Sequence, residues 1–197
     1  MLPGGVLPGG FEISARKTYG HVSAGMICSA RELGLGDEHS GIIVLPPDLA
    51  PIGTDAIELL HLRDVVFDLE TTPDRGYEMS VRGIARELSH AFDAPYADPA
   101  AVAVAAPDAD GWPVLIADLV GCDLFSARTV IGLDPGAPTP LEIQRRLALS
   151  GIRSISLAVD VTNYVMLETG QPMHAFDRAR LTGPITVSKR MVMRSSR

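Results

Sequence analysis

The chain is 197 residues long, enough for one or two domains, and its hydrophobic share of 46% is enough to bury a core, which argues against disorder throughout. An aromatic share of 5% limits any base-stacking platform for single strands. The net charge of −7 argues at first against nucleic acid, but 8 basic and 20 acidic residues precede Leu141, whereas 9 basic and 4 acidic residues lie from Leu141 to Arg197.

The positive end suits contact with phosphates, and equally a solvated basic surface. Cys28 and Cys122 lie far apart, form no metal-ligand spacing and fit a reduced, cytosolic protein. The start lacks the basic and apolar regions of a secretory signal, and the apolar run at 100–106 is too short to cross a bilayer. A soluble, cytoplasmic protein without membrane or metal is expected.

In chain order, the repeated L-P-G-G at 2–5 and 7–10 reads as turns. Phe11, Ile13 and Ala15 alternate with Glu12, Ser14 and Arg16 at the period of a half-buried strand. Ser29 with Glu32 forms a capping-box pattern for a short helix that Gly34 and Gly36 stop. G-I-I-V-L-P at 41–46 predicts a buried strand ended by prolines, and D-V-V-F-D-L-E at 64–70 a strand with one wet face. After a turn at 71–76, Ser80 opens a helix to about Phe92 with Val81, Ile84, Ala85, Leu88 and Phe92 on one stripe.

Residues 94–113, rich in Ala, Pro and Asp and without a period, read as a linker, with Trp112 a candidate anchor of its far end. Apolar alternation at 122–133 suits strands. Thr139 with Glu142 repeats the capping-box pattern, with Pro140 at the first helical position of a helix to about Ser150 that Gly151 stops. Ile143 and Leu147 face inward on it, while Arg145, Arg146 and the later Arg153 face solvent or phosphate. Residues 152–159 predict a strand, Asp160 the N-cap of a short helix, Gly170 its left-handed end, and 184–187 a strand.

The stretch D-V-T-N-Y-V-M-L-E-T-G-Q-P-M-H-A-F-D at 160–177 gathers Asp160, Thr162, Asn163, His174 and Asp177, with His174 in the loop just past the helix. By pattern alone it is a capped helix and turn with an ordinary histidine. Its words, however, closely resemble the tRNA-editing domain of the β subunit of bacterial phenylalanyl-tRNA synthetase. S-A-G-M-I-C-S-A-R-E-L-G-L-G at 23–36 and G-I-I-V-L-P at 41–46 resemble the end of that subunit's oligonucleotide-binding barrel. T-P-D-R-G-Y-E-M-S-V-R-G-I-A-R-E-L at 72–88 resembles the segment between the two.

The resemblance implies an α+β fold. Residues 1–60 would be the C-terminal part of a partial oligonucleotide-binding β-barrel and 61–98 a small α/β module. A linker at 99–113 would precede a truncated mixed α/β editing domain at 114–190 and a divergent basic tail at 191–197. It further implies a fragment of the β subunit acting in phenylalanyl-tRNA aminoacylation, by tRNA binding and by hydrolysis of tyrosine wrongly attached to phenylalanine tRNA. His174, Asn163 and Thr162 would form a partial editing site, and Arg16, Lys17, Arg145, Arg146 and Arg153 would meet tRNA. The family's remaining pocket residues fall beyond Arg197, and the tail leaves the family pattern, as a frameshifted or truncated frame or a basic extension would. No cofactor is expected on this chain; ATP and Mg2+ would be used through the partner α subunit of an α2β2 assembly. The alternative is a non-catalytic RNA- or protein-binding relative.

Overall fold

The computed structural model describes residues 1–36, 39–106 and 110–189. Among them the architecture is mixed, with four α-helices and two separate two-stranded sheets, and no closed barrel. The chain divides into two units, 1–68 with 145–153, and 69–144 with 154–197.

The first unit begins with the two glycine turns, where Gly4, Gly9 and Gly10 adopt positive φ. Its core is Leu7, Ile13 and Cys28, with Met26 and Leu33 against them. The strand expected over 11–16 is displaced. Glu12 makes only an isolated bridge to Val6, and the regular ladder is β1 (Arg16–Thr18) antiparallel to β2 (His21–Ser23). Tyr19 and Gly20 join them in two residues, at φ 51° and 82°.

The capping box of Ser29 and Glu32 forms reciprocally: the Ser29 amide donates to Glu32 Oε2 at 2.7 Å and the Glu32 amide to Ser29 Oγ at 3.3 Å. It caps turns rather than a helix, so the expected short helix is corrected to consecutive turns, with Leu33 N–H bonded to Ser29 O, Gly34 N–H to Arg31 O and Leu35 N–H to Ala30 O, and Gly34 at positive φ. The strands expected at 41–46 and 64–70 are absent. Ile43 donates once, to Cys28 O, while Val44 is 82% and Phe67 78% exposed. A strand is stabilised by its neighbour's backbone and side chains, and among the described residues neither segment is paired in a ladder. The helix α1 (Ala56–Leu59) is a single turn capped by Asp55.

In the second unit α2 (Val81–Phe92) forms as its pattern predicts. The Ser80 side chain accepts from the Gly83 amide, and Asp93 in the left-handed conformation ends the helix. Gly83 is required by contact rather than by φ, because a Cβ there would lie 1.9 Å from the Tyr77 carbonyl oxygen. Arg82 reaches Asp98 through two hydrogen bonds of 2.8 and 2.5 Å, drawing the next segment back onto α2. The described residues between 94 and 113 hold no helix or strand.

Strands were expected at 122–133, but the structure has none there; the strand lies earlier, β3 (Val114–Ile116), parallel to β4 (Ile185–Val187). Trp112 Nε1 donates to Gly183 O at 3.0 Å, closing the end of this pair. α3 (Leu141–Leu149) passes from the second unit into the first. It ends in a Schellman turn, with Ile152 N–H bonded to Leu147 O, Gly151 N–H to Ala148 O, and Gly151 at φ 76°. Leu147 is fully buried. α4 (Leu157–Thr169) begins three residues before Asp160, so the strand expected at 152–159 is replaced by an irregular segment and the first turn of this helix.

Candidate functional site

The site rests on α4 and the loop behind it. Ser156 is the N-cap of α4, and Asp160 lies inside the first turns rather than at the cap. Its carboxylate is fully buried and accepts three donors: Thr139 Oγ at 2.5 Å, Ser154 Oγ at 2.5 Å and the Ile155 amide at 2.9 Å. Burial by itself pushes this carboxyl up. The Ser154 and Thr139 hydroxyls, with the Ile155 amide, outweigh it and hold the group below its ordinary value. A buried carboxylate left without donors would be costly, so the three contacts and the charge stabilise each other.

This network corrects two expectations. Asp160 is not the N-cap of a short helix, and the Thr139 hydroxyl donates to Asp160 across 21 positions instead of serving only its own helix start. No local pattern announces such a contact. The one signal in the sequence is the pair of serines, Ser154 and Ser156, shortly ahead of Asp160.

Thr162 and Asn163 follow on the next turn and are half-buried; the Thr162 hydroxyl donates to Val159 O at 2.7 Å within the helix. Gly170 ends α4 at φ 79°, with its amide bonded to Met166 O. A Cβ on Gly170 would sit 3.3 Å from Ser80, so the glycine also lets the end of α4 approach the start of α2. Beyond it residues 171–177 form an exposed loop. His174 lies there with its ring 6.2 Å from that of Phe176, tilted by 48°. Asp177 closes the loop by accepting from the Ala179 amide.

The structure thus places Thr162 and Asn163 on one turn and His174 in the following loop, and no hydrogen bond joins His174 to either among the described residues. A cleft of about 580 Å³ at the carboxyl ends of β3 and β4, lined by Asp118, Cys122, Val187 and Lys189 among others, includes none of the three.

The basic candidates separate. Arg16 and Lys17 are exposed on β1, and Arg153 is exposed after α3. Arg145 does not face open solvent: its guanidinium donates to the Asp64 carboxylate, and the side chain is 23% exposed. The Val65 amide and then Arg145 hold the Asp64 carboxyl low. Arg146 is exposed on the same helix and engaged within the protein. Among the described residues no group of three or more His, Cys, Asp or Glu side chains is arranged to hold a metal, and no helix is long and apolar enough to cross a membrane.

Residues 121–192, which contain α3, α4, the His174 loop and β4, match the B3/4 domain family. Similarity to phenylalanine–tRNA ligase β subunits runs over nearly the whole chain. The phenylalanine–tRNA ligase β subunit of Streptomyces avermitilis is 62% identical over 190 residues, which are 96% of this chain and 23% of that protein. The chain is similar to a stretch of the phenylalanine–tRNA ligase β subunit. The β subunits of Nocardia farcinica and Thermobifida fusca agree, at 60% identity over 187 residues and 59% over 186, each spanning 22% of its own length. The chain therefore spans about a quarter of the length of the phenylalanine–tRNA ligase β subunits it matches. The D-V-T-N turn and the H-A-F-D loop both lie inside the B3/4 match.

Proposed function

We propose that the chain acts as a segment of a phenylalanine–tRNA ligase β subunit, serving phenylalanyl-tRNA aminoacylation through tRNA binding and hydrolytic editing of phenylalanine tRNA mischarged with tyrosine. The observation that carries this reading is the similarity to β subunits over 96% of the chain, with the B3/4 match covering the Thr162, Asn163 and His174 positions. Residues 1–60 then correspond to part of an oligonucleotide-binding barrel, 61–98 to the connecting module, and 114–190 to the first part of the editing domain.

Such an activity has a physical reason. A pocket built for phenylalanine rejects an added hydroxyl only about 10²-fold, while a second site that hydrogen-bonds the hydroxyl discriminates further. In the hydrolysis, water adds to the ester carbonyl, the bond to the ribose oxygen breaks, and that oxygen regains a proton as tyrosine leaves. His174, exposed in the loop after α4, orients the esterified end of the tRNA or the attacking water. Thr162 and Asn163 supply the polar wall. Arg16, Lys17, Arg145, Arg146 and Arg153 are the proposed tRNA contacts, with Arg145 doing so only by releasing Asp64. ATP and Mg2+ belong to activation on the partner α subunit of an α2β2 enzyme in the cytoplasm.

That no hydrogen bond joins His174 to Thr162 or Asn163 among the described residues favours one second reading, a relative that binds RNA or protein without catalysis. Deacylation of tyrosine-charged phenylalanine tRNA by the purified chain, beside His174→Ala, decides between them. Hydrolysis lost in the variant supports editing; absence of hydrolysis from the folded chain supports the second reading.

A further inference from the structure

The least expected residue of the first unit is Tyr19. It is one of three described non-glycine residues at positive φ, and it is 97% exposed. A bulky side chain in the left-handed region is strained, and at the first central position of a two-residue hairpin turn Asn, Asp or Gly is favoured. Strain of this kind persists where function holds it, so the outlier calls for a role. Nothing in the fold uses the ring: it contributes to no core, and its hairpin is exposed along both strands.

The charges around it are equally one-sided. Arg16 and Lys17 lie on β1 and His21 on β2, and no acidic residue occurs between Glu12 and Glu32 in a chain of net charge −7. The register pairs Thr18 with His21 and Lys17 with Val22, so Arg16 and His21 share one face and Lys17 takes the other. An aromatic face at the tip with cations on both faces of the ribbon behind it is the combination that takes an unpaired nucleotide. The base stacks on the ring while the flanking phosphates meet the cations. An acidic protein partner would use the cations but gives no reason for a strained, wholly exposed ring.

We propose that the β1–β2 hairpin is a nucleotide-capturing finger, with Tyr19 stacking one unpaired base of an RNA and Arg16 and Lys17 holding the adjoining phosphates. The proposal shares its ligand class with the editing reading but does not depend on hydrolysis or on the identity of the tRNA.

The test is fluorescence anisotropy of the full chain with a labelled oligouridylate across a salt series. Tyr19→Asn is the decisive variant, because asparagine suits the turn and keeps the hairpin while removing the ring. It is expected to weaken binding about tenfold with the salt slope unchanged, and Tyr19→Phe to bind as the wild type does. Lys17→Gln is expected to lower the slope by about 0.7. Wild-type affinity in Tyr19→Asn, loss of binding in Tyr19→Phe, or no binding by the wild-type chain would each overturn the finger. A chain that binds oligouridylate but does not deacylate tRNA keeps it and rejects the editing reading; the converse rejects only the finger.

Discussion

The Thr139 hydroxyl donates to the Asp160 carboxylate at 2.5 Å, and through that bond the segment just ahead of α3 is tied to the interior of α4. The same carboxylate collects Ser154 Oγ and the Ile155 amide, so the irregular segment ahead of α4 is held by one acceptor. Because Asp160 is fully buried, no water replaces a lost donor or acceptor. Substituting Asp160→Asn keeps the shape but loses the charge and turns one acceptor into a donor facing two hydroxyls. We expect a loss of about 2–3 kcal/mol in urea denaturation; an unchanged midpoint would show the network to be energetically idle.

The pH dependence follows from the same group. The folded carboxyl is held below its ordinary value, so its contribution is present above the unfolded pKa, about 3.9, and is lost as pH falls through the folded pKa. Urea midpoints of the wild type and Asp160→Asn are therefore expected to differ by a constant amount at neutral pH and to converge below about pH 4. Asp64 and Asp98, also held low, act alike in both proteins and leave the difference intact.

Gly83→Ala tests the seat of α2. The added methyl would lie 1.9 Å from the Tyr77 carbonyl oxygen, and the Gly83 amide must stay within reach of Ser80 Oγ, now 3.1 Å away. Backbone has to move, and we expect a loss of about 3 kcal/mol on thermal or urea unfolding. Ser80→Ala, which removes the cap and the Ser80 hydroxyl's bond to Tyr77 O, should cost about 1–2 kcal/mol.

His174→Ala separates chemistry from stability. The ring is exposed and its one described partner is Phe176, so the unfolding free energy is expected to stay within about 0.5 kcal/mol of the wild type. Any deacylation of tyrosine-charged tRNA should disappear. A large change in unfolding free energy would make the histidine a structural residue.

Asp64 and Arg145 offer a double-mutant cycle. With side chains 40% and 23% exposed, their coupling is expected to be about 0.5–1 kcal/mol and to shrink in high salt. A coupling of zero at low salt would free Arg145 for phosphate.

The sequence by itself determined most of the punctuation of α2, α3 and α4 and a resemblance to a family. Ser80 capping α2, Gly151 closing α3 and Gly170 closing α4 were legible because each device bonds groups three to five residues apart. The candidate residues Thr162, Asn163 and His174 were legible only as words of a motif, and among the described residues no hydrogen bond joins His174 to the other two. Tertiary structure alone decided where strands exist. The apolar runs at 41–46 and 64–70 carry strand patterns without a ladder, while β3 and β4 pair across about 70 residues. A strand's hydrogen bonds are made to a distant partner that its own sequence does not name. Asp160 is the same lesson in one side chain. As a sequence letter it was a helix cap, satisfied by neighbouring amides; in the fold it is buried, and its strongest donors come from Thr139 and Ser154. Local bonds were readable in advance, and the bonds that close over long loops were not, because they depend on which segments the fold brings together.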